Sequence, residues 1–138
     1  MVHPINAVSA PRFLSFVLGI LLFSAGSLSL NQIQEQRIDR LMPRTQHRPV
    51  AAGRWPAGKS TALSLLLLLV GGLLLYAAKP ICAWLGLLTV LLYNGGYTTY
   101  WKARGPSAAI WGAFPGALPV LIGYALTHDP WLTPSSAY

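Results

Sequence analysis

The chain alternates between long apolar stretches and polar segments. Four apolar stretches cover residues 13–30, 61–78, 81–101 and 107–127. An α-helix needs about 20 apolar residues to cross a hydrocarbon core of about 30 Å, whereas the strands of a membrane barrel alternate apolar and polar side chains. Because the four stretches are apolar on every side, the pattern predicts four membrane-spanning helices in one all-α bundle over residues 1–138.

The polar segment 31–60 begins as a continuation of the first helix and then becomes a loop. Residues 31–42 contain neither glycine nor proline, and the first residue that disfavours a helix is Pro43. Proline also disfavours helical geometry in the residue before it, so we expect the first helix to leave the membrane and to end near Leu41. The remainder is rich in proline, glycine and arginine, which is typical of a surface loop.

The later spans carry signals for helix packing. Spans two and three are joined by AKP, residues 78–80, a connection short enough to force an antiparallel hairpin. Asn94 is polar within an apolar span, and we expect it to face a cavity. Glycines let helices approach closely, which indicates that spans three and four are buried among other helices. The glycines concerned are Gly95, Gly96, Gly112, Gly116 and Gly123.

Composition agrees with a membrane protein. Hydrophobic residues make up 54% of the chain and charged residues 9%, and the mean hydropathy is positive, a balance outside the range of ordinary soluble domains. The net charge of +7 indicates orientation more than nucleic-acid binding, because basic residues near span ends favour the cytoplasm. Most basic residues lie in segments 31–60 and 102–106, so we expect both segments to be cytoplasmic.

Two smaller features have alternative or neutral interpretations. A cleaved secretory signal is an alternative for the N-terminus, with Arg12 before an apolar core at 13–23 and SAGS as the cleavage site. The greater length of the apolar stretch favours a retained helix. The single cysteine, Cys82, has no partner for an internal disulfide and is predicted to be a packing residue.

Segment 53–60, GRWPAGKS, matches the phosphate-loop pattern G-x-x-x-x-G-K-[ST]. A phosphate loop needs a preceding strand and a following helix within an α/β domain. Here a short proline-bound segment precedes the match and a leucine-rich span follows it, so we interpret the match as coincidental. We expect Ser60 or Thr61 to cap the second span, and Arg54 and Lys59 to anchor it at the lipid headgroups.

Three oxygen-bearing side chains, Asn31, Glu35 and Asp39, follow one another at intervals of four residues. On a helix this spacing places them on one face as a ladder. Hard cations such as Mg²⁺ take oxygen ligands, usually one or two carboxylates with water and substrate phosphates. Guanidinium groups suit phosphate oxygens, so the segment predicts a site for a cation and a lipid diphosphate. The surrounding arginines are Arg37, Arg40, Arg44 and Arg48.

The same spacing has a simpler interpretation. Glu35 and Asp39 would pair with Arg40 and Arg44 on a solvated helix face, since acids and bases at such spacing commonly form surface ion pairs. The ladder by itself leaves both interpretations open.

A longer pattern around the ladder resembles a known family. N-x-x-x-[DE]-x-x-x-D-x-x-M-x-R-T-x-x-R-P closely resembles the first signature of the intramembrane aromatic prenyltransferases of the UbiA type. YTTYWKARGP (97–106) and GAFPGALPVLIGY (112–124) resemble later stretches of that family, most of all in the members that farnesylate heme b. The signature is formed here by Asn31, Glu35, Asp39, Met42, Arg44, Thr45, Arg48 and Pro49.

The resemblance implies a transmembrane helical bundle around a cavity that opens to the cytoplasm of a bacterial inner membrane. Magnesium would bind farnesyl diphosphate, and a vinyl group of heme b would attack the allylic carbon to give heme O. By match of motif, Asn31, Glu35 and Asp39 would be the catalytic and metal-binding ladder. Basic residues would stabilise the departing diphosphate. The residues so implied are Arg44, Lys102 and Arg48.

The sequence departs from the family in length and in one motif. Members are longer and carry a second acidic motif several spans later, whereas the acid that remains after residue 49 is the isolated Asp129. We therefore expect this chain to be part of a longer protein. His47 lies in the signature loop, but no histidine has a ligand partner at helical spacing, which disfavours heme ligation.

Two other functions stay open on the sequence. Quinone-pathway members of the family share the ladder, so the acceptor is the weakest part of the prediction. A non-catalytic transporter or scaffold would place charged or polar residues near mid-span. Apart from Asn94 the four apolar stretches contain almost none, which favours the enzyme.

Overall fold

The computed structural model describes residues 8–101 and 108–127. Within these two ranges every regular element is a helix and no strand occurs, which confirms the all-α prediction. The helices are α1 (Ala10–Gln34), α2 (Gln36–Leu41), α3 (Ala57–Ala78), α4 (Pro80–Val90), a π-helix that continues α4 (Leu91–Trp101), and α5 (Ala108–Thr127).

Helices α1 and α3 are long and apolar enough to cross a membrane, as judged by length and composition. Only 11% and 22% of their most apolar windows are buried inside the protein, so most of their apolar surface faces outward. Leu21 of α1 and Leu69 of α3 are among the large exposed side chains on this surface. An apolar exterior of this extent is stable in lipid rather than in water. Segments 80–96, within α4 and the π-helix, and 117–127, within α5, are shorter apolar helical segments.

Glycines hold α1 against α3. A Cβ atom on Gly71 would lie 2.5 Å from the backbone nitrogen of Phe23 and 2.9 Å from the carbonyl oxygen of Gly19. Gly26 is equally close to α3, since a Cβ there would lie 2.9 Å from Ser64 O. Backbones that approach this closely gain van der Waals contact within a membrane, where no hydrophobic force joins apolar helices.

The predicted close approach of helices at the glycines of spans three and four does not occur at Gly95 or Gly123. A Cβ on either residue would meet no described atom within 4 Å. The burial expected for span four is found in the second half of α5. In the described residues, close backbone contacts at glycine are found between α1 and α3. The side-chain surroundings of Gly112 and Gly116 lie outside the described part of the chain.

The α3–α4 connection and α5 enclose the apolar core. Lys79 is the single residue between α3 and α4, and its Nζ donates to the carbonyl oxygen of Ala125 at 2.7 Å. Cys82 is fully buried among apolar side chains as a free thiol, as its predicted packing role requires. The buried core cluster consists of Leu75, Ala78, Cys82, Ile122 and Leu126.

The start of α3 differs from the prediction. Its N-cap is Pro56, which makes no side-chain capping bond, so the expected cap by Ser60 or Thr61 is wrong. Thr61 instead donates its hydroxyl to the carbonyl oxygen of Ala57 at 2.9 Å. No strand precedes GRWPAGKS within residues 8–101, so the segment lacks the strand–loop–helix setting of a phosphate loop.

The segment between α2 and α3, residues 42–56, is folded into consecutive turns and is called the arginine loop below. It packs back onto α2 through two side-chain bonds to its backbone. Gln36 donates its amide to Val50 O at 3.0 Å, and Arg40 donates Nε to Ala51 O at 3.0 Å. Both acceptor residues, Val50 and Ala51, are buried. These contacts bring the arginine loop beside the ladder.

Candidate functional site

The ladder lies where α1 passes into α2. The two helices meet at Glu35, whose backbone (φ −92°, ψ 1°) departs from regular α-helical geometry. Two backbone bonds nevertheless continue the helical pattern through this residue, from Glu35 N to Asn31 O at 3.0 Å and from Asp39 N to Glu35 O at 2.8 Å. The helical path therefore reaches Leu41, as expected, and keeps the ladder on one face.

All three ladder residues are buried. Asn31, Glu35 and Asp39 are 8%, 7% and 3% exposed, whereas Arg37 and Arg40 on other faces of α2 are exposed. Burial of a carboxylate is costly unless a positive charge or hydrogen-bond donors accompany it. The structure supplies a positive charge and hydrogen-bond donors to these carboxylates.

Arg48 of the arginine loop contacts both carboxylates. Its NH1 lies 2.9 Å from Asp39 Oδ2 and 3.9 Å from Glu35 Oε2. Thr45 adds a bond from its hydroxyl to the carbonyl oxygen of Asp39 at 3.3 Å. The pairing of Asp39 with Arg40 or Arg44, the simpler sequence interpretation, is therefore replaced by a pair with Arg48.

Asn31 links Glu35 to the π-helix. Its amide nitrogen Nδ2 donates to Glu35 Oε2 at 3.3 Å, and its oxygen Oδ1 accepts from the hydroxyl of Thr98 at 2.9 Å. Sequence analysis missed Thr98. A signal was present, because Thr98 follows Asn94 by four residues near the end of the same span.

Asn94 binds α1 and does not line the cavity, so the expectation that it faces a cavity is wrong. Its Nδ2 donates to Ser27 Oγ at 2.7 Å, and its backbone oxygen accepts from the side chain of Gln34 at 3.1 Å. The side chain is 3% exposed. Asn94 and Thr98 thus hold the π-helix against the end of α1 that carries the ladder. π-helical geometry occurs often at functional sites.

A cavity of about 400 Å³ opens beside the two carboxylates. This volume is in the range of small-molecule sites. Six of the eight lining residues carry polar or charged groups, but apolar atoms form most of the exposed wall. The residues that line it are Glu35, Ile38, Asp39, Met42, Arg44, Thr45, Arg48 and Thr98.

The remaining predicted residues are distributed as follows. Arg44 lines the cavity and is exposed. Lys102 lies outside the described residues, as does Asp129. His47 is exposed, and its carbonyl oxygen accepts a bond from Arg54, so its side chain has no role in the site as described.

The donor set fits a hard divalent cation. Glu35 Oε2 and Asp39 Oδ2 both approach NH1 of Arg48, so the two carboxylates converge on one positively charged group. No group of three or more His, Cys, Asp or Glu residues occurs in the part of the chain that the structure covers. Two carboxylates are the usual protein contribution to Mg²⁺ when substrate phosphates complete the shell.

Comparison with known proteins identifies the family. The sequence model of the UbiA prenyltransferase family matches residues 2–137. The chain is 48% identical over 126 residues to a protoheme IX farnesyltransferase of Bdellovibrio bacteriovorus, covering 91% of this chain and 43% of that protein. Enzymes of the same name match from Macrococcus caseolyticus, at 38% identity with 90% and 42% covered, and from Shewanella amazonensis, at 35% identity with 90% and 42% covered.

The matches also show how much of each relative's length this chain covers. The chain spans about two fifths of the length of these curated relatives. No solved structure gives a significant match. A family match over nearly the whole chain, together with the buried ladder, agrees with the resemblance of the signature. The chain is a membrane protein and belongs to the UbiA prenyltransferase family.

Proposed function

We propose that this chain forms part of an enzyme that transfers a farnesyl group from farnesyl diphosphate to heme b, giving heme O. The observation that carries the proposal is the pair of buried carboxylates, Glu35 and Asp39, facing one guanidinium beside a cavity lined by a second arginine. The names of the relatives support heme b as the acceptor. Transfer to a quinone precursor is the alternative within the family.

The proposed metal ligands are the carboxylates of Glu35 and Asp39, with Asn31 as the third polar member of the ladder. Prenyltransferases of this family generally use a divalent metal, and we propose Mg²⁺ because the donors are oxygen atoms. When bound, the cation would neutralise the diphosphate and make it a better leaving group.

The protein's own charges complement that role. Arg44 and Arg48 line the cavity and would hold the diphosphate oxygens through paired N–H donors. Lys102 is proposed as a third cationic contact. As the allylic C–O bond breaks, its electron pair moves onto the diphosphate, and fixed positive charge lowers the energy of that state. The vinyl carbon forms the new C–C bond to the farnesyl group. Water then adds to the carbocation left on the former vinyl group, with loss of a proton. Ile38 and Met42 give the cavity an apolar wall suited to an isoprenoid.

The proposed setting is the bacterial inner membrane, with the arginine loop on the cytoplasmic side. The basic residues of segment 31–60 support this orientation. The exposed apolar surfaces of α1 and α3 support the membrane location. A cytoplasmic site would have direct access to a soluble or membrane-anchored diphosphate.

Heme extraction from cells tests the proposal. The full-length protein is expressed in bacteria that lack their own heme O synthesis, and extracted hemes are separated by chromatography. We expect heme O with the wild type and none with Asp39→Asn, which removes the charge but keeps the shape. Gln46→Ala, an exposed change in the arginine loop, is the control and should retain heme O. A prenylated quinone precursor in place of heme O would support the alternative acceptor.

A further inference from the structure

Two polar contacts fix the register between α1 and the π-helix. Asn94 donates to Ser27, and Thr98 donates to Asn31, and both pairs are separated by 67 residues in the sequence. From the first pair to the second, the position advances by four residues on each helix, so the two helices run in the same direction. This register places the Thr98 hydroxyl at the level of Asn31.

The charge of Glu35 fixes which way the Asn31 amide points. An ionised carboxylate only accepts hydrogen bonds, so the NH₂ group of Asn31 must face Glu35 Oε2, and its oxygen must face away. A threonine hydroxyl can donate or accept, and it donates here because it meets that oxygen at 2.9 Å. The orientation therefore follows from the network itself.

This orientation joins three side chains in one chain of hydrogen bonds. The Asn31 oxygen Oδ1 is bonded to Thr98, and its nitrogen Nδ2 is bonded to Glu35. Thr98 and Glu35 both line the cavity, whereas Asn31 lies behind them. Asn31 is thus placed to orient the Glu35 carboxylate.

We propose that Thr98 is a positioning residue for the cation site, which acts through Asn31 on the carboxylate of Glu35. The proposal rests on the proposed function, in which Glu35 binds the metal. Residues that hydrogen-bond to metal ligands fix the ligand's orientation, and their loss commonly weakens metal affinity by about 10–100-fold. Thr98 supplies this support from a different span, so the site requires the π-helix to remain packed on α1.

Manganese binding by the full-length protein tests the proposal without relying on turnover. The dissociation constant of Mn²⁺ is measured by electron paramagnetic resonance in detergent, with and without inorganic pyrophosphate. We expect Thr98→Val to weaken Mn²⁺ binding by about tenfold and Thr98→Ser, which keeps the hydroxyl, to bind nearly as the wild type does. Thr98→Ala repeats the comparison if valine prevents folding. Thr89→Val is the matched control, because among the described residues Thr89 bonds within its own helix, to Leu85 O at 2.8 Å.

A double-mutant cycle tests the route through Asn31. If Thr98 acts through this amide, Thr98→Val should have little further effect in an Asn31→Ala background. An undiminished effect there would overturn the proposal, as would a Thr98→Ser variant as weak as Thr98→Val.

Glu35→Gln separates failure of this inference from failure of the proposed function. If Glu35→Gln weakens Mn²⁺ binding and Thr98→Val leaves it unchanged, the role of Thr98 is overturned and the cation site stands. Unchanged binding in Glu35→Gln overturns the proposed cation site, and the inference with it.

Discussion

Arg48 and Asp39, nine residues apart in the sequence, form a hydrogen-bonded ion pair in which NH1 lies 2.9 Å from Oδ2. The pair joins the arginine loop to the face of α2 that carries the ladder. The Asp39 side chain is almost completely buried, whereas Arg48 keeps 37% of its side chain exposed. The guanidinium of Arg48 therefore neutralises a buried carboxylate while part of its own side chain remains in contact with solvent.

Arg48→Gln should lower the free energy of unfolding. It leaves Asp39 with a weaker partner at a buried position, and an under-satisfied buried group costs about 1–3 kcal/mol. The exposure of Arg48 places the expected loss at the lower end of that range. Thermal unfolding in detergent measures it. Arg54→Gln is the control, since Arg54 is an exposed arginine of the same loop whose partner in the described part of the chain is the backbone oxygen of His47. Equal melting temperatures for the two variants would contradict the prediction.

The same variant should affect two ligands in opposite directions. Removal of the Arg48 charge leaves Glu35 and Asp39 less neutralised, so Mn²⁺ alone should bind more tightly. Mn²⁺ with pyrophosphate should bind more weakly, because a cationic contact to the anion is lost. Titration calorimetry of the full-length protein measures both affinities. A change in the same direction for both ligands would show that Arg48 does not contact the diphosphate.

Local signals explain what the sequence could predict. Apolar runs specify helices, and the spacing of Asn31, Glu35 and Asp39 specifies one face, because both depend on neighbouring residues along the chain. The choice of Arg48 as the ion-pair partner depends on how the arginine loop folds back onto α2. The contact of Thr98 with Asn31 depends on the register of two distant spans. Such tertiary relations leave no periodic pattern in a single sequence.

The glycines are a second case in which the sequence does not reveal a tertiary contact. A glycine in a span indicates possible close approach, but the sequence does not say which glycine meets another helix. Gly71 lies in the α1–α3 contact, whereas a Cβ added at Gly95 would meet no described atom within 4 Å. The break at Glu35 was also unpredicted, since no glycine or proline marks it.

Gly71→Ala should destabilise the α1–α3 pair. The added methyl would lie 2.5 Å from the backbone nitrogen of Phe23, and backbone atoms cannot move aside without shifting a helix. Overpacking of this kind costs about 1–3 kcal/mol. Gly58→Ala is the matched control on the same helix, because its Cβ would meet no atom within 4 Å, and it should be neutral or slightly stabilising. The measurement is the midpoint of thermal unfolding in detergent. Equal midpoints for Gly71→Ala and Gly58→Ala would contradict the prediction.

Single cysteines should report the orientation of the arginine loop. Gln46→Cys places a thiol on its exposed surface, and Pro80→Cys places one where α4 begins, at the opposite end of α3. The native Cys82 is fully buried and should react slowly, which keeps the background low. With a maleimide that cannot cross membranes, intact bacterial spheroplasts should label Pro80→Cys, and permeabilised ones should label both. Basic residues concentrate in the arginine loop, and transfer of that charge across the membrane is unfavourable. Labelling of Gln46→Cys in intact spheroplasts would place the carboxylate site on the outer side and overturn the proposed cytoplasmic access of the diphosphate.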